Sequence, residues 1–172
     1  MKIKPIPLLI FTLVIFVFFI FYKSLDKTNI YSPSVNLNKL IPEFNSKTFY
    51  TNTNFSNNDL KKNNYYLINI WASWCAPCQI EHKFLLKLNK IEKLNLIGIN
   101  YKDLKSNAES FLKDLGNPYD TILIDKEGKL SISWGAYGVP ETFLVFNNKI
   151  KKKYTGPLDE TSFNEIKKIL NQ

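Results

Sequence analysis

Tyr65 to Trp71 is a run of seven residues, nearly all apolar and β-prone and too short for a buried helix, so it reads as a central strand. Cys75 and Cys78 follow almost at once. From Cys78 to Lys93 the pattern turns helical, with Ile80, Phe84, Leu88 and Ile91 on one side of the wheel and Leu85 at its margin. The rest of the fold has to be built around this strand, cysteine pair and helix. The two cysteines are the only ones among 172 residues, and three residues of separation close a loop too small to staple distant elements. The pair therefore serves chemistry.

The length suits one domain of ordinary size with an appendage. Apolar residues at 45% and charged residues at 22% exclude global disorder. Leu96 to Tyr101 reads as a second strand. Ser106 with Glu109 predicts a capping box for a helix whose Ala108, Phe111, Leu112 and Leu115 face inward until Gly116 stops it. Thr121 to Ile124 is a third strand, followed by a turn over Asp125 to Gly128. Phe143 to Phe146 and Lys149 to Tyr154, joined by Asn147 and Asn148, form a hairpin, and Phe163, Ile166, Ile169 and Leu170 mark a last helix. Leu40 to Asn64, rich in Asn, Thr and Ser, is a short-stranded lead-in. The order predicts an α/β domain over 39–172, a mixed sheet with helices on both faces and no internal repeat. Lys151 to Lys153 reads as an edge strand kept soluble by charge.

The N-terminal segment speaks to compartment. Lys2 and Lys4 precede Ile6 to Tyr22, where only Pro7 and Thr12 interrupt apolar or aromatic side chains. About 17 residues span roughly 25 Å, the lower limit for crossing a bilayer, with Lys23 able to snorkel. The run is long for a signal-peptide core, and no small-x-small site follows it, so residues 1–23 read as a cytoplasmic stub and uncleaved anchor. Lys2 and Lys4 argue for a cytoplasmic N-terminus. Residues 24–38 are a polar tether. The net charge of +8 comes from 23 lysines and no arginine, a poor instrument for nucleic acid, so no nucleic-acid partner is expected.

Cys75 sits at the opening of a helix, where unpaired backbone N–H groups stabilise a thiolate and lower a thiol pKa from about 8.5 to roughly 3.5–7.5. It is the expected nucleophile. Cys78, one turn in and more covered, would attack the mixed disulfide and release the substrate reduced, and Pro77 suits the first turn. Zinc would need a second ligand pair that the chain lacks, and Gln79 rather than His after Cys78 excludes c-type haem attachment, so no metal or cofactor is expected. Glu81 falls in the apolar sector three residues after Cys78, where a buried acid with a raised pKa can exchange a proton with that sulfur. His82, the only histidine, lies on the polar side and is expected to be exposed. Pro140 opens a strand, which alone does not fix its isomer.

Together, Trp71-Ala-Ser-Trp-Cys-Ala-Pro-Cys78 after a strand, a helix and a late proline resemble the thioredoxin-like superfamily. Cys78-Gln-Ile-Glu-His82, Asn100-Tyr-Lys-Asp103, Leu115-Gly-Asn-Pro-Tyr119 and Gly135-Ala-Tyr-Gly-Val-Pro-Glu-Thr142 resemble, more narrowly, the CcmG/DsbE thiol:disulfide interchange proteins of bacterial cytochrome c maturation. The resemblance runs from about Leu40 to Ile169. It implies a thioredoxin-like fold behind one transmembrane helix and a catalytic domain in the periplasm, tethered to the inner membrane. Pro140 would be a cis-proline facing the cysteines. Trp74, Pro77, Val139 and Pro140 would line the substrate groove, and Glu81 and Glu141 would form acidic surroundings that tune the pair. Many cytoplasmic thioredoxins carry an acid where this chain has Asn69, so proton handling passes to Glu81. Val139 stands where the family often has Ala.

The resemblance also implies the task, reduction of the haem-attachment cysteines of apocytochrome c, or of a partner maturation thiol protein, with electrons from a DsbD- or CcdA-type membrane thiol carrier. A reductase of the ResA/TlpA kind, serving targets such as oxidase copper-site cysteines, is the related alternative. An apocytochrome-binding chaperone with secondary redox activity is the alternative from another class. The Cys-x-x-Cys spacing serves every direction of exchange.

Overall fold

The computed structural model describes residues 5–25 and 38–171, in two units taken separately. The first is helix α1, Pro5–Leu25. Its 21 residues rise about 31 Å. Side chains are described at residue 7 and residues 9–23, and over those no helix is long and apolar enough to cross a membrane. Phe11, Phe18 and Tyr22 are among the many apolar and aromatic side chains it leaves exposed. Lys2, Lys4 and residues 26–37 of the expected tether lie outside the described residues.

The second unit is a five-stranded mixed sheet. Strands β1 (Asn45–Lys47) and β2 (Asn54–Ser56) form a small antiparallel pair ahead of it. Then come β3 (Tyr65–Trp71), α2 (Ala76–Leu88), β4 (Leu94–Tyr101), α3 (Lys105–Leu115), β5 (Thr121–Asp125), α4 (Lys129–Ser133), β6 (Glu141–Phe146), β7 (Lys149–Thr155) and α5 (Glu160–Leu170). The strand order is β5-β4-β3-β6-β7. β3, β4 and β5 are parallel, while β6 and β7 run antiparallel to their neighbours. Two successive crossovers in one direction put α2 and α3 on the same face.

Because β3 is central, both of its faces are buried. Leu67 and Trp71 pack with Phe84, Leu85 and Leu88 of α2, Phe111 and Leu112 of α3, and Ile166 and Leu170 of α5. Ile68 and Ile70 face the other way, onto Phe143, Val145, Trp134 and the lead-in residues Ile41, Phe44 and Leu60. The second face is thus covered largely by the lead-in and by α4. Sequence periodicity missed α4 because it is five residues long and follows Gly128 at φ +77°. Its first turn is held by buried Asp125, whose carboxylate accepts the Ser131 N–H at 2.8 Å and the Ser131 hydroxyl at 2.6 Å.

The hairpin closes through Asn147 and Asn148 with φ of 49° and 56°, the left-handed pair that a two-residue turn requires. Elsewhere the structure corrects the periodic reading. α3 opens at Leu104 with no side-chain cap, and Glu109 pairs instead with Lys105 at 3.8 Å, so the expected Ser106 box is absent. Leu115 is half-exposed and Ile80 exposed. The buried stripe of α2 is Cys78, Glu81, His82, Phe84, Leu85 and Leu88, an arc widened because α3 and α5 flank the helix.

Candidate active site

β3 ends at Trp71, and the chain leaves the sheet through Ala72, Ser73 and Trp74 before Cys75 caps α2. This loop is held from below by one residue. Asp103, just beyond β4, accepts the Ser73 N–H at 2.6 Å and hydroxyl at 2.8 Å and also bonds Asn100 and the Leu104 N–H. Trp74 donates its indole N–H to the Lys102 carbonyl at 3.1 Å while its ring stays 58% exposed. A large aromatic surface is therefore fixed beside the cysteines without being buried.

Cys75 and Cys78 form a disulfide, with Cα atoms 5.3 Å apart. Cys75 is the N-cap, and its Sγ accepts the Cys78 N–H at 3.1 Å, with Pro77 in the first turn. On reduction, that N–H and the helix N-terminus lie against whatever charge develops on the Cys75 sulfur. Both cysteines are buried to nearly the same degree, so exposure does not separate them as expected. The hydrogen bond does. The Val139–Pro140 peptide is cis, Pro140 is buried, Val139 half-buried, Pro77 exposed and Tyr137 67% exposed.

Glu81 has no exposed surface, and its carboxylate is held from two sides. Oε1 accepts the Asn69 amide N–H at 2.8 Å from β3, and Oε2 accepts the Leu158 N–H at 2.8 Å from the segment before α5. Asn69 also donates to Thr142 Oγ1 at 2.9 Å and accepts the Tyr119 hydroxyl at 2.7 Å. Burial pushes the Glu81 pKa up to about 7, against the lowering effect of the Leu158 and Asn69 donors. A group titrating there can both take and give a proton at neutral pH. Among the described residues, no three His, Cys, Asp or Glu side chains converge to hold a metal ion.

A family model described as Redoxin matches residues 36–170. The thiol:disulfide interchange protein DsbE of Haemophilus influenzae is 38% identical over 128 residues, 74% of this chain and 70% of its own. The chain belongs to the redoxin family of thiol:disulfide interchange proteins. The interchange protein CycY of Rhizobium leguminosarum is 49% identical over 100 residues, 58% of this chain, and the match spans about half, 54%, of CycY. The thioredoxin domain of a thiol-disulfide oxidoreductase from Bacteroides vulgatus superposes with a TM-score of 0.68 at 21% identity, covering 80% of this chain and all of that one, and shows the fold. This redoxin is a thiol-disulfide oxidoreductase with a thioredoxin-like mixed sheet.

Within the redoxin domain, two sequence expectations need correction. Glu141 does not share the surroundings of Glu81. Thr142 pairs with Asn69 and faces Glu81, so Glu141, one residue earlier and paired with Ile70, faces the opposite side of the sheet. There its Oε2 meets Lys153 Nζ at 2.6 Å, both side chains nearly fully buried, and its Oε1 accepts the Tyr137 N–H at 2.7 Å. Lys153 also donates to the Gly135 carbonyl at 2.8 Å. Lys153 is thus no solubilising edge charge, although β7 is an edge strand. The pair ties down the loop that carries Tyr137, Val139 and Pro140.

His82 is the second correction, since it is 3% exposed rather than on the surface. Its Nε2 lies 2.8 Å from the Gly116 carbonyl at the end of α3, and its ring meets Phe111 edge-on at 5.1 Å. Burial lowers its pKa, against the raising effect of the Gly116 carbonyl. A wheel that scores His as polar cannot register a helix packed over that side. Sequence reasoning also missed Tyr119, Thr142 and Asp103 as parts of the site. Each lies in a segment that carries the family resemblance, and further signals were Asn69 inside an otherwise apolar β3 and Gly98 inside β4.

Proposed function

We propose that this redoxin is a periplasmic reductant that reduces the haem-attachment cysteines of apocytochrome c, or a partner thiol protein of the same maturation route. Cys75 thiolate attacks one sulfur of the substrate disulfide and expels the other as thiolate, giving a mixed disulfide. Cys78 then attacks the Cys75 sulfur, and the substrate leaves with both thiols reduced while the Cys75–Cys78 disulfide forms. A membrane thiol carrier of the DsbD or CcdA type returns the two electrons. The observation that carries the assignment of roles is the Cys78 N–H held on Cys75 Sγ at the start of α2. It favours negative charge on Cys75, the sulfur that attacks the substrate disulfide. Glu81 supplies or accepts the proton at Cys78. Trp74, Pro77, Val139 and Pro140 form the groove for an extended substrate.

The pathway is supported by the resemblance of the Gly135 to Thr142 segment to CcmG/DsbE proteins and by relatives named as thiol:disulfide interchange proteins. Residues 1–23 act as a single-pass signal anchor in the bacterial inner membrane, 24–38 as tether and 39–172 as the catalytic domain outside the cytoplasm. The apolar run from Ile6 to Tyr22, with Lys2 and Lys4 ahead of it, supports this reading. The test is Cys78→Ser, which leaves mixed disulfides on Cys75 unresolved, with trapped partners identified by mass spectrometry. A catch dominated by apocytochrome c or a maturation thiol protein is expected. A catch of oxidase copper-site proteins or assorted secreted proteins overturns the pathway.

A further inference from the structure

Tyr119 is a buried titratable side chain that the thiol chemistry itself does not use. Its ring is buried against Trp71, with centroids 5.5 Å apart, and its hydroxyl ends on Asn69. The chain delivers it there by design of the backbone on both sides. Asp120 closes onto β4 twice, its N–H to the Leu96 carbonyl at 2.9 Å and its carboxylate to the Leu96 N–H at 2.7 Å. Tyr119 itself donates its N–H to the Asn117 side chain at 3.0 Å.

For the ring to cross β4 and reach β3, the strand between must offer no side chain. Asn69 is paired with Gly98. A Cβ at Gly98 would lie 2.7 Å from Trp71 Nε1 and 3.0 Å from the Tyr119 ring. The glycine therefore opens the passage through which the tyrosine meets the asparagine.

With the Tyr119 hydroxyl on Oδ1 and Nδ2 donating to Glu81 and Thr142, the whole Asn69 amide is engaged. We propose that Tyr119 is a positioning residue for Glu81: its hydroxyl fixes the orientation of the Asn69 amide, so that Glu81 always faces an N–H donor. This rests on the reading of Glu81 as the proton partner of the cysteine pair. Without the hydroxyl, Oδ1 is left unpaired in the core, and the amide gains by turning its oxygen toward Glu81. A protonated carboxyl can donate to that oxygen and an ionised one cannot. The hydroxyl thus holds the proton affinity of Glu81 down.

The other groups around Glu81 do not substitute for it. On α2, His82 is turned to Gly116 and Cys78 is in the disulfide. β6 presents Thr142, the segment before α5 presents a backbone N–H, and Glu141 with Lys153 lies across the sheet.

Tyr119→Phe in the full chain removes one oxygen and keeps the ring that packs on Trp71. Titration of the Glu81 carboxyl by carbon NMR is expected to move upward by about 1 unit relative to wild type. Gly98→Ala, which displaces the ring with its hydroxyl intact, is expected to move it the same way. An unchanged Glu81 titration in Tyr119→Phe overturns the proposal. Thiolate absorbance and the pH dependence of exchange are read in the same samples, alone and in a Glu81→Gln background, where Tyr119→Phe is expected to add nothing. If the carboxyl shifts while the thiols do not, the positioning role stands and the reading of Glu81 as proton partner is what fails.

Discussion

Two buried glutamates lie on opposite faces of this sheet, and they are opposites. Glu81 is held by neutral donors alone, so burial dominates and its pKa rises to about 7. Glu141 has a lysine against it, with Lys153 Nζ at 2.6 Å, and the two charges with their backbone partners form a clasp on the loop before β6. What separates the two is the partner: neutral donors leave burial to raise the Glu81 pKa, whereas the Lys153 ammonium ties Glu141 into the loop before β6.

The largest effect is expected from breaking the clasp. Lys153→Met leaves Glu141 charged and unpaired in the core and should destabilise the domain by about 3 to 5 kcal/mol in denaturant unfolding. Lys153→Met with Glu141→Gln should recover most of the loss, because the desolvated charge is gone. A loss that the second substitution does not relieve would mean that Lys153 acts through packing.

On the other face, Glu81 makes stability depend on pH in a stated direction. Its folded pKa is above its unfolded value near 4.5, so between about 4.5 and 7 the native state holds a proton that the unfolded chain has released. Stability is therefore greatest below about 4.5 from this group and falls as pH rises to about 7, by about 3 kcal/mol. Glu81→Gln should remove that decline, gaining up to this amount at pH 8 and little at pH 4. A difference between variant and wild type that stays constant across that range would contradict the raised pKa.

Asn69→Leu gives a smaller expected effect, since it deletes one of the two donors on Glu81 and should raise the carboxyl titration above the wild-type value. Carbon NMR reads it directly. The smallest comes from His82, whose lowered pKa has the opposite sign. It is kept neutral by burial, so the native state loses stability as pH falls through and below the usual histidine range, and His82→Gln should flatten that limb in acid unfolding.

Much of the frame was legible because it is periodic. β3, the helix after Cys78, the hairpin at Asn147 and the last helix all follow from apolar spacing or turn chemistry over a few neighbours. Glu81 was legible for the same reason, as an acid in an apolar sector. What was not legible joins residues far apart: Tyr119 to Asn69, Glu81 to the backbone before α5, Lys153 to Glu141. No local window contains both ends of such a contact. Lys153 looked like one more charge in a lysine-rich strand, and His82 looked polar, because the elements that cover them come from elsewhere in the chain.

The central claim is that Glu81, and not Glu141, is the proton partner of the cysteine pair. The pH dependence of the thiol-disulfide exchange rate tests it most directly, compared among wild type, Glu81→Gln and the Lys153→Met/Glu141→Gln pair. An inflection near pH 7 that disappears in Glu81→Gln and persists in the paired variant is expected. An inflection that survives Glu81→Gln, or one that vanishes with Glu141, would contradict it.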